Sequence, residues 1–231
     1  MQRISQWYSS FADMTFPTVF IRLHEEEKQL IINNDAPDKV KQQLMARIER
    51  VIKALPRPCF AGLDTCSPDD AKDFHKKKSH ASAKTVISLL QDSAKVKAAL
   101  QEGHCESIVL RPYRRMDKTR EFRLFVYEKQ LSGMSQRHLE RQFRRLEGRK
   151  DEIWQKGQEF IAQLSPFLEV GNVVIDVYLT SDGQMLIIDF NKWQDSDPLL
   201  FRKWDRDWSE PAGLKLMAAP IKMQGDVKVS F

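Results

Sequence analysis

The chain has 231 residues, of which 42% are hydrophobic and 30% charged, a composition typical of a globular protein with a substantial core. Lys and Arg (37) outnumber Asp and Glu (32), and the resulting mild positive charge suits an anionic ligand without requiring nucleic acid. Neither a zinc site nor a disulfide framework is indicated by the 3 cysteines, which lack Cys-x-x-Cys spacing. We expect a cytoplasmic protein, because no cleavable apolar N-terminal segment and no membrane-length apolar run is found.

The length allows one large domain or two small lobes, and hydrophobic periodicity predicts both strands and helices over residues 1–107. The predicted elements are, in chain order, strands at 19–23 and 29–32, a helix from about 35 to 55, a strand at 59–63 and a helix from 82 to about 100. The basic segment at 75–80 is interpreted as a solvated loop, with a mobile loop that meets phosphates as the alternative. Lys84 falls in the first turn of the last helix, where a cation is unfavourable unless an anion is near or the side chain is simply exposed.

Strands and helices are also predicted in the rest of the chain. The predicted elements are a strand at 107–113, a hairpin of strands at 121–126 and 130–136 around Glu128-Lys129, a helix over 138–168, a second hairpin at 172–191, and a tail that either adds an edge strand at 227–231 or is partly disordered. The basic side chains of the predicted helix would form a solvated face or, as an alternative, bind nucleic acid: Arg141, Arg144, Arg145, Arg149 and Lys150.

The second hairpin carries the strongest chemical signal. If Asp182-Gly183 forms a two-residue turn, Asp176 lies opposite Asp189, and Asn191 shares the face of Asp189. Two facing carboxylates repel each other, so a cation is expected between them. Mg²⁺ is the leading candidate, since it takes oxygen ligands and shares them with phosphates. The alternatives are that one Asp faces solvent or that a Lys or Arg neutralises the pair.

Two arginines also stand within predicted strands. Arg111 and Arg123 either occupy a solvent face or offer their planar guanidinium groups to carboxylate or phosphate oxygens. The sequence contains no Gly-x-Gly-x-x-Gly, no P-loop signature and no Gly-x-Ser-x-Gly. Nucleotide binding would therefore use basic strands together with the acidic hairpin.

An ordered set of motifs resembles the cell division cycle protein 123 family. The motifs are Arg111, Glu121-Phe-Arg-Leu-Phe-Val126, Ser135-Gln-Arg137, Asp176-Val-Tyr178, Ile188-Asp-Phe-Asn191 and Asp197-Pro-Leu-Leu-Phe201, with a weaker match at Ser67-Pro-Asp-Asp-Ala71 and Lys84-Thr85. The resemblance implies an ATP-grasp-like α+β fold, in which two α+β lobes with antiparallel sheets enclose ATP. The N-terminal lobe would comprise residues 1–107, and the C-terminal lobe, residues 108–231, would carry the hairpin at 172–191. It further implies an assembly chaperone, because eukaryotic members bind the γ subunit of heterotrimeric translation initiation factor 2.

The resemblance also implies which residues meet the ligands. Mg²⁺ would be held by Asp176, Asp189 and Asn191, and residues near 108–113 would form the adenine-side strand and hinge. The full set of expected ATP-binding residues is Lys84, Leu110, Arg111, Pro112, Tyr113, Glu121, Arg123 and Arg137. Gly62 departs from the family pattern, which usually has a phosphate-binding Lys there. Lys84 or the segment 76–78 would substitute for it.

Three function classes follow from these observations. The first is an ATP- and Mg²⁺-binding assembly factor for a protein partner. The second is an ATP-grasp ligase that converts a carboxylate to an acylphosphate for attack by an amine, with Arg123 or Arg137 stabilising the developing charge. The third is a nucleic-acid binder, which we rank last.

Overall fold

The computed structural model describes residues 3–72, 74 and 81–219. The basic segment at 75–80 and the edge strand expected at 227–231 lie outside the described residues, so both stay predictions. Within the described part of the chain, no helix is both long enough and apolar enough to cross a membrane.

Helices and strands follow one another along the chain. Their bounds, in chain order, are α1 (Ile4–Trp7), β1 (Val19–Arg22), α2 (Glu25–Asn33), α3 (Asp38–Ala54), β2 (Cys59–Leu63), α4 (Ala83–Asp92), α5 (Ala94–Gln101), β3 (Ser107–Pro112), β4 (Glu121–Tyr127), β5 (Gln130–Gln136), α6 (Arg144–Glu147), α7 (Lys150–Leu164), β6 (Val173–Leu179), β7 (Met185–Lys192) and β8 (Leu214–Lys215).

The strands form two sheets. The smaller sheet has the order β1-β3-β2, and both of its pairs are antiparallel. The larger sheet has the order β7-β6-β4-β5-β8. In it β4 runs antiparallel to both β5 and β6, while the short β8 is parallel to β5. The predicted α+β class with antiparallel sheets is confirmed.

The chain divides into two compact units. Unit 1 comprises Met1–Met116 with Leu186–Lys192, and unit 2 comprises Asp117–Met185 with Trp193–Phe231. The sequence prediction opened the second lobe at residue 108, whereas the structure keeps β3 in unit 1. The reason is strand pairing, since β3 lies between β1 and β2 of the smaller sheet.

The core of unit 1 forms between its helices and the smaller sheet. Leu44, Ile48 and Ile52 of α3 recur at helical spacing and are fully buried. They share one apolar cluster with Ile108 and Leu110 of β3. Complete burial of such a side chain stabilises a fold by about 1.5–3 kcal/mol, so this stripe accounts for the docking of α3 on the sheet.

The core of unit 2 includes a cluster of aromatic rings. The Phe125 ring of β4 lies 5.0 Å from the ring of Phe201, 5.6 Å from that of Trp204 and 5.1 Å from that of Trp208. Trp193 joins the cluster through a ring contact of 4.9 Å with Trp204. Aromatic pairs at these separations add about 0.5–1.5 kcal/mol to area burial, which explains how the segment after β7 packs without regular periodicity.

The strand predicted at 29–32 is wrong, because these residues belong to α2. The acidic run before them begins the helix. The Glu27 carboxylate accepts the backbone N–H of His24 at 2.9 Å, and carboxylates near a helix N-terminus are stabilised by its dipole. Asn34 then ends the helix in the left-handed conformation, with φ of 56°. A short apolar run is compatible with both a strand and a helix, so the capping residues determine that this segment is helical.

The single helix predicted over 82–100 is two helices, α4 and α5, separated at Ser93. The Ser93 side chain is buried, and its hydroxyl accepts the backbone N–H of Val96 at 3.1 Å while donating to the Asp70 carboxylate. A Ser that caps one helix cannot continue the preceding one, because its backbone leaves the helical conformation.

The long helix predicted from 138 is shorter than expected. The α-helices of this stretch are α6 and α7, and α7 begins at Lys150. The Gln136 side-chain amide donates to the backbone carbonyls of His138 and, at 2.9 Å, Arg141. These bonds hold residues before α6 in an irregular conformation, so Arg141 does not belong to a helical face.

The two predicted hairpin turns have different outcomes. Glu128-Lys129 forms the expected two-residue turn, with both residues at positive φ. At the second hairpin the Thr180 N–H donates to Gln184 O at 2.8 Å, and the Gly183 N–H donates to Thr180 O at 3.2 Å. This is a three-residue turn with Gly183 in the left-handed region, so the predicted two-residue turn is wrong. A three-residue turn changes the strand register by one residue. The argument that Asp176 lies opposite Asp189, which assumed a two-residue turn, therefore no longer holds.

Candidate functional site

An ion pair is buried in the sheet of unit 2. Arg123 of β4 lies directly beside Asp176 of β6 in the strand register. Its Nε donates to Asp176 Oδ1 at 2.7 Å and its Nη2 donates to Oδ2 at 2.8 Å, a bidentate arrangement. Each side chain is only 6% exposed. The third nitrogen, Nη1, donates to the backbone carbonyl of Asp197 at 2.8 Å.

This geometry supports one of the alternatives left open by the sequence, namely neutralisation of an aspartate by an arginine. A carboxylate removed from water needs a partner, and Arg123 supplies it. Since both oxygens of Asp176 accept N–H groups, its first role is to fix the Arg123 guanidinium. The position of Asp197 could not be anticipated, because a backbone carbonyl carries no sequence signal.

A second, more exposed cation adjoins this pair. Arg137 follows β5, and its Nε lies 3.3 Å from Asp176 Oδ2 while its side chain remains 41% exposed. The Arg137 backbone N–H donates to Glu121 O at 3.1 Å, which ties it to the start of β4. The structure therefore brings Arg123, Arg137, Glu121 and Asp176 together within unit 2.

His138 is a neighbour that the sequence analysis did not single out. Its Nε2 lies 3.0 Å from Glu121 Oε2, although the angle is not that of a hydrogen bond, and its Nδ1 lies 3.8 Å from Glu140 Oε2. Its Nε2 is buried without a hydrogen-bond partner among the residues that the structure describes. A buried ring nitrogen of this kind marks His138 as part of the polar site in unit 2.

In unit 1, the expected adenine-side residues occupy the end of β3. Leu110 is fully buried and belongs to the apolar core. Pro112 pairs with Cys59 of β2, and the Tyr113 backbone N–H donates to Pro58 O at 2.8 Å. These contacts fix the backbone conformation at the C-terminal end of β3. Pro112 and Tyr113 are half-buried, so both keep surface for a ligand.

Arg111 is the most unusual charged residue of unit 1. Its Nε donates to the Thr18 hydroxyl at 2.8 Å, but its Nη2 is buried and has no hydrogen-bond partner among the described residues. Burial lowers the pKa of the Arg111 guanidinium, and the charges of Asp189 and Tyr8 oppose that shift. A buried cationic N–H without an acceptor costs about 1–3 kcal/mol or more, so the position favours an anionic partner.

The acidic strand β7 supplies hard oxygen donors to unit 1. Asp189 and Asn191 are two residues apart on one strand, so their side chains share a face. The Asp189 Oδ1 accepts the Phe190 backbone N–H at 2.9 Å, and the Phe190 ring packs at 5.0 Å against Trp7. A carboxylate and an amide oxygen fit Mg²⁺, which binds one or two carboxylates and completes its shell with water and phosphate. Among the described residues, no cluster of three or more His, Cys, Asp or Glu could hold a metal alone.

The two phosphate-binding positions discussed for unit 1 differ in their surroundings. Lys84 is exposed in the first turn of α4, and no hydrogen bond or ion pair joins it to another described residue. At Gly62 the loop after β2 folds back, and the Leu63 N–H donates to Cys66 O at 2.9 Å. A Cβ at Gly62 would lie 3.2 Å from Cys66 O, so a long side chain would require the loop to move.

Comparison with known proteins supports one family. The sequence model described as "D123" matches residues 24–210, most of the chain. The translation initiation factor eIF2 assembly protein of Dictyostelium discoideum is 28% identical over 189 residues, which cover 76% of this chain and 48% of that protein. A putative CDC123-like protein of Acanthamoeba polyphaga mimivirus is 24% identical over 227 residues, covering 89% of this chain and 69% of that protein.

The fold agrees with a solved structure. Cdc123 from Schizosaccharomyces pombe superposes with a TM-score of 0.75 at 23% identity, covering 90% of this chain and 88% of the other. This chain spans about half the length of the Dictyostelium relative, so the activity of that whole protein is not carried over directly. The motif resemblance, the family match and the shared fold agree, and the chain therefore belongs to the "D123" family, the cell division cycle protein 123 family.

Proposed function

We propose that this protein binds ATP together with Mg²⁺ and serves as an assembly factor for a protein partner. The observation that carries the nucleotide proposal is the buried Arg111 Nη2, a cationic donor without an acceptor among the described residues. A phosphate oxygen would satisfy it. From unit 1 the nucleotide would use Arg111, the half-buried Pro112 and Tyr113 and the backbone of Leu110.

Within unit 2, we propose Arg123, Arg137 and Glu121 as residues that bind phosphate or nucleotide. Arg123 is held by Asp176, so its guanidinium is preoriented and loses little entropy on binding. Arg137 is exposed and bound to Asp176 by a single contact at 3.3 Å, so it is free to turn toward an anionic ligand.

Asp189 and Asn191 would be the first protein ligands of Mg²⁺. When bound, the metal would neutralise phosphate charge. Asp176 would add a ligand only through acceptor capacity that its arginines leave over, since a carboxylate offers about four lone pairs. Lys84 would reach phosphate from an exposed position, and its role stays a prediction.

The assembly role rests on the relatives. Proteins named for eIF2 assembly match this chain, so we propose a translation initiation factor subunit as the partner and the cytoplasm as the site of action. The alternative is an ATP-grasp ligase that activates a carboxylate. For that chemistry Arg137 is the better candidate to stabilise developing charge, because Arg123 is already buried and paired.

ADP release distinguishes the two functions. The purified protein is incubated with Mg²⁺-ATP, alone, with amino acids and other small carboxylates and amines, and with the γ subunit of the host translation initiation factor 2. An assembly factor retains ATP and binds the subunit, with binding weakened by EDTA. ADP release that depends on a small carboxylate, without subunit binding, would establish the ligase instead.

A further inference from the structure

Thr18 lies at the centre of a short hydrogen-bond relay in unit 1. Its hydroxyl donates to the backbone carbonyl of Phe16 at 2.8 Å and accepts from Arg111 Nε at 2.8 Å. A hydroxyl has one proton, and here the carbonyl takes it. The hydroxyl oxygen must therefore present a lone pair to Arg111, which fixes the direction of the second bond.

The backbone of Thr18 is fixed as well. Its N–H donates to the Tyr8 hydroxyl at 3.0 Å, and the Tyr8 ring contacts the ring of Phe20 at 5.3 Å. Thr18 is itself buried, so neither its backbone nor its hydroxyl competes with bulk water. The residues before β1 thus form a rigid support for one edge of the Arg111 guanidinium.

The relay determines which guanidinium edge remains for a ligand. Because Nε is occupied by Thr18, the planar group cannot rotate about its long axis without losing that bond. The Nη2 position is then set, and it is the atom that has lost water without gaining an acceptor among the described residues. A fixed, desolvated donor binds an anion without paying again for desolvation or ordering.

We propose that Thr18 is a positioning residue that aims the Arg111 guanidinium at a polyphosphate oxygen. This inference deepens the proposed nucleotide function and rests on it for the identity of the natural ligand. The chemistry itself requires only an anion with phosphate-like oxygens. Thr18 acts through Arg111 and touches no ligand.

Inorganic tripolyphosphate is the probe that tests the inference without the nucleoside. Its affinity is measured by calorimetry for the wild type, Thr18→Val and Thr18→Ser, with thermal unfolding as the check on folding. Valine keeps the shape of threonine but cannot accept the Nε–H, so affinity should fall about tenfold, the effect of losing a hydrogen bond to a charged group. Serine keeps the hydroxyl and should bind within about twofold of the wild type.

A double-mutant cycle separates positioning from a general effect on folding. In an Arg111→Met background, Thr18→Val should change affinity by less than about twofold, because the residue through which Thr18 acts is absent. Equal losses from Thr18→Val in both backgrounds would overturn the inference. So would equal affinities of Thr18→Val and Thr18→Ser, or no tripolyphosphate binding by the wild type.

A measurement on the wild type does not depend on the stability of any variant. In protein labelled with ¹⁵N-arginine, the Arg111 Nε–H resonance should be protected from solvent exchange and should shift when tripolyphosphate is added. Rapid exchange and no shift would contradict the relay. Tripolyphosphate binding with the expected Thr18 dependence, but no binding of Mg²⁺-ATP, would leave this inference standing while refuting the proposed function.

Discussion

Replacing Asp176 by asparagine should cost more stability than any conservative exposed substitution in unit 2. Asparagine has nearly the same shape but no charge, so the buried Arg123 guanidinium would lose its carboxylate partner and keep weaker neutral acceptors such as the Asp197 carbonyl. Removing one member of a buried ion pair typically costs about 3–5 kcal/mol. We expect the lower half of that range, because one asparagine oxygen can still accept an N–H.

The reverse substitution should cost less. Arg123→Met leaves the Asp176 carboxylate with Arg137, whose Nε lies 3.3 Å away, so that charge is not stranded. The double variant Arg123→Met/Asp176→Leu carries neither buried charge and should recover much of the loss. Urea unfolding followed by tryptophan fluorescence measures all three free energies. A loss below about 1 kcal/mol for Asp176→Asn, or a double variant that loses as much stability as Asp176→Asn and Arg123→Met together, would refute the reasoning.

Two further substitutions test local packing and capping. Gly133→Ala should destabilise by about 1–3 kcal/mol, because its Cβ would lie 2.6 Å from Cζ of the buried Phe201 ring. The matched control Gly148→Ala meets no atom within 4 Å and should be neutral, so equal melting temperatures for the two variants would contradict the packing argument. Ser93→Ala should cost about 1 kcal/mol in denaturant titration by removing the α5 cap, and an unchanged midpoint would show that the cap is not needed.

Strands with clear periodicity and their simple turn were predictable from the sequence. Glu121–Val126 alternates regularly, and Glu128-Lys129 is short enough to leave only one kind of turn. The length of the turn at Asp182-Gly183 was not predictable, because Asp-Gly occurs in both two-residue and three-residue hairpin loops. The choice between them depends on Thr180, whose hydroxyl and backbone both bond to Gln184. One residue of difference is enough to undo a register argument.

The predicted helix boundaries were wrong where a polar side chain forms hydrogen bonds with backbone groups. Ser93 and Gln136 each look neutral in a periodicity pattern, yet each ends or delays a helix by bonding to the backbone. Such bonds depend on neighbours brought in by the fold, as Asp70 is for Ser93. Propensity alone cannot anticipate them.

In the candidate site, too, some features were predictable from the sequence and others were not. Charged residue types inside strands singled out Arg111, Arg123 and Asp176, because charge in a strand needs a partner or solvent. Their partners were not predictable. The sequence left open which cation would bind Asp176, and the Thr18 hydroxyl that holds Arg111 lies 93 residues away in sequence.

The central claim, that Asp189 supports Mg²⁺-dependent ATP binding, is tested most directly by calorimetric titration of ATP into wild type and Asp189→Ala, each in excess Mg²⁺ and in EDTA. Asp205→Ala, which alters an exposed aspartate of unit 2, is the control. The account predicts that the wild type and Asp205→Ala bind ATP only with Mg²⁺, and that folded Asp189→Ala binds at least about tenfold more weakly. ATP affinity that is unchanged by EDTA or by Asp189→Ala would contradict it.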